Sequence, residues 1–139
     1  MKFFTTHLAI NTKGNTDIID VTNKVQALLK DYNLKEGQVT LFVPGSTGGL
    51  TTMEFEPNLA KDIKNAFENI APENMEYAHH MTWGDYNGHS HVRASILGPS
   101  LTVPFKEKKL TLGTWQQIVF IDFDTTHRSR KIILQIMGD

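Results

Sequence analysis

Four consecutive apolar residues, Ile118-Val119-Phe120-Ile121, set the tightest constraint on the fold. In an extended strand their side chains alternate between two faces, so both faces are apolar and both must be covered. A sheet built around this strand needs a second layer of structure or a neighbouring subunit, and the latter option points toward an oligomer. Of the 139 residues, 40% are apolar and 21% charged, which is enough for one core and argues against disorder.

Strand patterns cover residues 3–11, 17–21, 39–43, 50–55, 75–79, 89–97, 101–105, 114–123 and 131–137. Two helical patterns interrupt them. Thr22 stands in a capping position, and Val25, Leu28, Leu29 and Tyr32 behind it fall at i, i+3, i+4 and i+7. Leu59, Ile63, Phe67 and Ile70 mark a second helix, opened by Pro57 and closed by Ala71-Pro72. Two helices among so many strands, without regular βαβ alternation, predict a single α+β domain over residues 1–139 with mainly antiparallel sheet layers.

Charge and composition remove several classes of function. Fourteen Lys+Arg against fifteen Asp+Glu leave a net charge of −1, without the basic excess of a general nucleic-acid binder. No apolar run approaches the about 20 residues of a membrane span. Residues 1–7 carry no hydrophobic signal segment, which fits a cytoplasmic protein. There is no cysteine, so any metal must be held by His, Asp or Glu.

Four of the six histidines fall between residues 79 and 91. On a strand, His89 and His91 leave the same face with Cα atoms roughly 6.5 Å apart, close enough to share one ion. Arg93 and Ser95 continue that face. His79, arriving from a separate strand, would complete a three-histidine set with an open fourth position, the pattern of a catalytic zinc. His80 should point away. The competing reading is a solvent-facing polar loop with imidazoles at the core edge. Asp85 and Asn87 lie in the intervening loop as candidate catalytic groups.

Gly45-Ser46-Thr47-Gly48-Gly49 can form an anion nest, with hydroxyl donors from Ser46 and Thr47, or a plain turn. It lacks the spacing of a phosphate-binding P-loop. Thr52, Glu54 and Glu56 share a face on the next strand. Glu54 there is either a ligand or general base beside the imidazoles, or part of an exposed acidic edge. The chain has only three arginines. Arg93 shares the histidine face and suits a phosphate. Arg128 and Arg130 sit in a turn where solvation is the default, and Arg130 is the one retained as a phosphate contact. Trp115 reads as core, and Gln116 on the opposite strand face as a ligand contact.

Several strings recur in an order that resembles a known family. Pro44-Gly45-Ser46-Thr47, Glu54, Tyr77-Ala78-His79 and residues 84–95 (GDYNGHSHVRAS) come first. Residues 97–104 (LGPSLTVP), 112–116 (LGTWQ) and Arg128-Ser129-Arg130 follow. The chain is similar to the YjbQ-like family, also called the secondary thiamine-phosphate synthase family, along nearly its whole length. The resemblance implies a compact α+β subunit in a homotrimer, with histidines clustered near the subunit boundary. It also implies a weak thiamine-phosphate synthase activity, joining a pyrimidine diphosphate to a thiazole phosphate with release of diphosphate. The chain has no Asp-rich magnesium clamp for that diphosphate.

Many members carry His-Thr-Ser/Thr where this chain has Gly45-Ser46-Thr47, and some of those lack a match for His89. The expectation is that the third imidazole has moved from one strand to another while the count stays at three. On this reading the chain is an enzyme acting on a phosphorylated metabolite. His79, His89 and His91 would hold a divalent metal, zinc by preference, opposite an anion pocket. The competing class is a non-catalytic carrier or sensor for a phosphorylated small molecule.

Overall fold

The computed structural model describes residues 1–139 as two antiparallel sheets with helices against the smaller one. The chain runs β1 (Lys2–Thr12), β2 (Asp17–Asp20), α1 (Thr22–Lys30), β3 (Glu36–Phe42), β4 (Gly48–Met53) and α2 (Pro57–Ile70). It continues through α3 (His80–Trp83), α4 (Gly88–Leu97), β5 (Ser100–Lys106), β6 (Lys109–Leu110), β7 (Gln117–Asp122) and β8 (Arg128–Gly138). The large sheet has the order β1-β8-β3-β5-β6 and the small one β2-β7-β4. The α+β class and the antiparallel pairing agree with the sequence reading. No helix is long and apolar enough to cross a membrane.

The two-faced strand is β7, the middle strand of the small sheet, and it divides two cores. Ile118 and Phe120 face the large sheet, packing with Leu41, Leu134, Ile136 and with Leu29 of α1. Val119 and Ile121 face the other way, onto Phe67 of α2 and Ala94 of α4. The second layer that this run demands therefore comes from the chain itself on both sides. Gly48 allows the close approach of β4 to β7, since a Cβ there would sit 2.6 Å from the Phe120 ring.

Local chemistry explains most element ends. Glu56 caps α2, accepting the N–H of Asn58 at 2.9 Å and also that of Leu59, with Pro57 opening the helix. Glu56 is thus a helix cap rather than part of a strand face. Thr22 opens α1 without capping it; its hydroxyl accepts the Ile118 N–H at 2.8 Å and ties the helix to β7.

Two predicted strands are absent. Residues 75–79 form a turn leading into α3, and residues 89–97 are helical. The alternation of polar residues at 89, 91, 93 and 95 imitates a strand. After the buried Gly88 at its start, however, the buried residues are His89, Ser90, Arg93 and Ala94, which follow the i, i+1, i+4, i+5 period of a helix. Because this face buries polar groups, the apolar pattern that would announce a helix is missing. Gly98, at φ 96°, ends it.

Phe120 is fully buried between the sheets. Replacing it with Ala should lower the unfolding free energy by about 3–5 kcal/mol, read from urea denaturation with an unchanged slope.

Candidate functional site

Helix α4 decides where the histidines go. Successive helical residues are about 100° apart, so His89 and His91 point to opposite sides. His89 and Arg93 form one i, i+4 flank, while His91 and Ser95 form another. His79, from the turn before α3, meets His91 with ring centroids 4.4 Å apart. His89 lies elsewhere, against Tyr77 and 2% exposed. The expected three-histidine set is therefore corrected to a pair, His79 and His91. No group of three or more His, Asp or Glu side chains in the subunit is placed to hold a metal ion.

His91 borders the glycine-rich loop. A cavity of about 230 Å3 is lined by Gly45, Ser46, Gly48, His91, Ser95 and Pro99. His79 Nε2 is buried without a hydrogen-bond partner, an orphaned group that a ligand or a proton carrier would satisfy. Burial and the neighbouring His79 lower the pKa of His91, against the opposing pull of Asp124 and Asp85. The ring is thus biased toward the neutral form that accepts a proton or ligates an ion.

Behind the loop lies a charge network that the sequence reading missed. Asp122 is fully buried and Asp124 is 3% exposed. Arg130 grips Asp122 with Nε at 2.7 Å and Nη2 at 2.9 Å, and its Nη2 also donates to the Thr47 hydroxyl at 2.7 Å. Thr12 donates to Asp122 at 2.6 Å, and Thr47 to Asp124 at 3.1 Å. Arg128 donates to Asp124 through Nε at 3.0 Å. A signal was available: Asp122 and Asp124 stand two apart after a doubly buried strand, as do Arg128 and Arg130 on the next. Buried carboxylates need such partners.

One donor of this network is left over. Arg130 Nη1 takes no part in these bonds, and it lies 3.3 Å from where a Cβ on Gly45 would sit. Glycine keeps this approach open, so the guanidinium reaches the loop beside Ser46. Among the expected phosphate contacts, Ser46 lines the His91 cavity, and Arg130 approaches the same loop at Gly45.

The other expected site residues are placed as follows. The Thr47 hydroxyl is spent on Asp124 and Arg130, which makes it a support of the loop. Arg93 is buried on the far flank of α4, where it donates to Ala71 O, Thr16 and Glu68. Gln116 bridges Gly113 and Thr52 beside a different cavity of about 410 Å3. Trp115, expected in the core, is 73% exposed. Glu54 is exposed just past the end of β4 and lines neither histidine cavity. Asp85 is exposed but acts electrostatically on His91. Asn87 is buried at the start of α4, its backbone carbonyl accepting from Ser90 and His91 and its Oδ1 lacking a partner.

The fold and site define a small α+β protein with a histidine pair beside a glycine-rich loop. The chain belongs to the family described as UPF0047 protein YjbQ-like, whose model matches residues 6–139. A UPF0047 protein of Methanothermobacter thermautotrophicus is 33% identical over 138 residues, covering 99% of this chain and 94% of the relative. The UPF0047 protein YugU of Bacillus subtilis is 33% identical over 132 residues, covering 94% and 97%. Among solved structures, a YbjQ-like protein of unknown function from Sulfolobus solfataricus superposes with a TM-score of 0.92 at 28% identity, covering 99% of both chains. A hypothetical protein from Aeropyrum pernix gives 0.91 at 29% identity, covering 98% and 99%.

Burial alone would raise the pKa of Asp124. Hydrogen bonds from the Thr125 N–H and the Thr47 hydroxyl, with Arg128, bring it below its ordinary 3.8. A depressed folded value gives stability that is complete above the unfolded value and lost as pH falls through the folded one. Asp124→Asn should therefore lower stability at neutral pH and flatten its decline below pH 3.8, as read from Tm against pH.

Proposed function

We propose that the cavity between the Gly45–Ser46 loop and His91 binds a phosphorylated small molecule and that the His79–His91 pair moves a proton during its conversion. The observation that carries this reading is a small cavity lined by Ser46 and His91, with the His79 ring beside His91 and a free guanidinium N–H of Arg130 close to Gly45 in the cavity wall. Arg130 Nη1 and Ser46 suit phosphate oxygens, and the Asp122 clamp holds the guanidinium in place. His91 suits acid–base work, with Asp85 and Asp124 favouring its protonated form when it takes up a proton.

The reaction in best accord with the family resemblance is transfer of a pyrimidinylmethyl group from its diphosphate to the nitrogen of a thiazole phosphate. The carbon–oxygen bond to diphosphate breaks as the carbon–nitrogen bond forms. Arg130 and Ser46 take the charge of the leaving diphosphate, and His91, once it has taken up a proton, passes it to that diphosphate. Zinc does not fit the subunit alone, which offers two imidazoles where a catalytic site uses three protein ligands. It enters the proposal only with a third donor from a neighbouring subunit of the homotrimer. Exposed Met81, Trp83 and Tyr86, at 91%, 76% and 68%, support such an assembly. A cytoplasmic location belongs to the same reading.

The test is thiamine phosphate formation from the two precursors by the protein as purified, beside His91→Ala and Arg130→Lys. The expected result is a loss of about 100-fold or more in kcat for His91→Ala, with diphosphate binding retained. Arg130→Lys should weaken diphosphate binding. Diphosphate binding without turnover in the unsubstituted protein would favour the carrier or sensor; no binding of diphosphate would overturn the site.

A further inference from the structure

We propose that the cavity on the His89 flank of α4 is a second binding site, taking a small zwitterion with one ammonium and one carboxylate group, such as a free α-amino acid. This proposal does not rest on the phosphate pocket, which lies on the opposite side of the helix. The cavity measures about 210 Å3 and no apolar residue lines it. Thr16, His89 and Arg93 line it as deeply buried groups, at 3%, 2% and 5% exposure, while the exposed Lys64, Glu68 and Glu73 stand around its rim.

Two observations set it apart from an ordinary polar hollow. His89 Nδ1 is buried without a partner, and the ring's other nitrogen has only the Ser90 hydroxyl at 3.5 Å. Leaving a buried polar nitrogen unsatisfied is unfavourable, and a ligand in the cavity would relieve it. Thr16, a β-branched residue, is held at φ 62° after Gly14 and Asn15, at 79° and 55°. Such strain persists where the surroundings enforce it, and it concentrates at ligand sites. Here the enforcing contact is Arg93, whose Nη1 donates to the Thr16 hydroxyl at 3.0 Å.

The charge inventory selects the ligand. Arg93 is spent: its Nε donates to Ala71 O at 3.0 Å and its Nη2 to Glu68 at 2.6 Å. That leaves one ammonium, Lys64, and one carboxylate, Glu73, each without a side-chain hydrogen bond. Asn15 and Asn65 add amides that both donate and accept. A phosphate dianion would face two carboxylates with no free guanidinium. A bare metal ion would lack three convergent ligands. A molecule with one charge of each sign matches both rim groups.

The test is a titration of the whole protein with individual common α-amino acids, and with inorganic phosphate as a contrast. The signals followed are the ring nitrogens of His89 by NMR. At least one amino acid should move them in the millimolar range, while phosphate leaves them in place. Glu73→Gln and Lys64→Met should each weaken that binding roughly tenfold, and Ser46→Ala should leave it unchanged. Both rim side chains are exposed and lack hydrogen bonds, so neither substitution threatens the fold. The proposal is overturned if no amino acid moves His89, if binding survives both rim substitutions, or if phosphate moves His89 as strongly.

Discussion

The grip of Arg130 on Asp122 ties the strand shared by both cores to the glycine-rich loop. Asp122 ends β7, the strand shared by both cores, and it has no exposure to water. Its partners come from three other places: Thr12 on β1, Arg130 on β8, and, through Arg130, Thr47 in the glycine-rich loop. A buried carboxylate without these donors would be strongly destabilising. The same contacts fix the loop and aim the remaining guanidinium N–H toward it. Stability and site geometry thus rest on one ion pair.

Helix α4 is the second organising element, and it separates two chemistries. On one flank, His91 joins His79 beside the glycine-rich loop; on the other, His89 and Arg93 line a wholly polar cavity. The histidines that the sequence crowds into thirteen positions do not form one cluster. Arg93, with all its charge directed to Glu68, braces α4 against α2 and the strained Thr16 turn.

Much of the fold was legible from residue pattern. The two-faced apolar run identified β7, the i, i+3, i+4 spacings identified α1 and α2, and Pro57 marked the start of the latter. What failed was the segment 89–97. Its period-2 polar alternation pointed to a strand, whereas the buried side chains follow a helical period and are themselves polar. That one misreading placed His89, Arg93 and His91 on a common face and produced the three-histidine expectation. Ser46 and Arg130 were singled out from sequence, but the contacts that hold Arg130 were not. They lie in the buried Asp122–Asp124 pair, whose partners come from distant strands. Pattern within a segment reports burial of apolar groups well and burial of paired charges poorly.

The most direct test of the site is a crystal structure of the protein grown with inorganic diphosphate. The diphosphate should lie within hydrogen-bond distance of Arg130 Nη1, Ser46 and His91, with His79 beside His91 and His89 on the far side of α4. A diphosphate held instead by Arg93, or a structure in which His79, His89 and His91 converge on one point, would contradict this site.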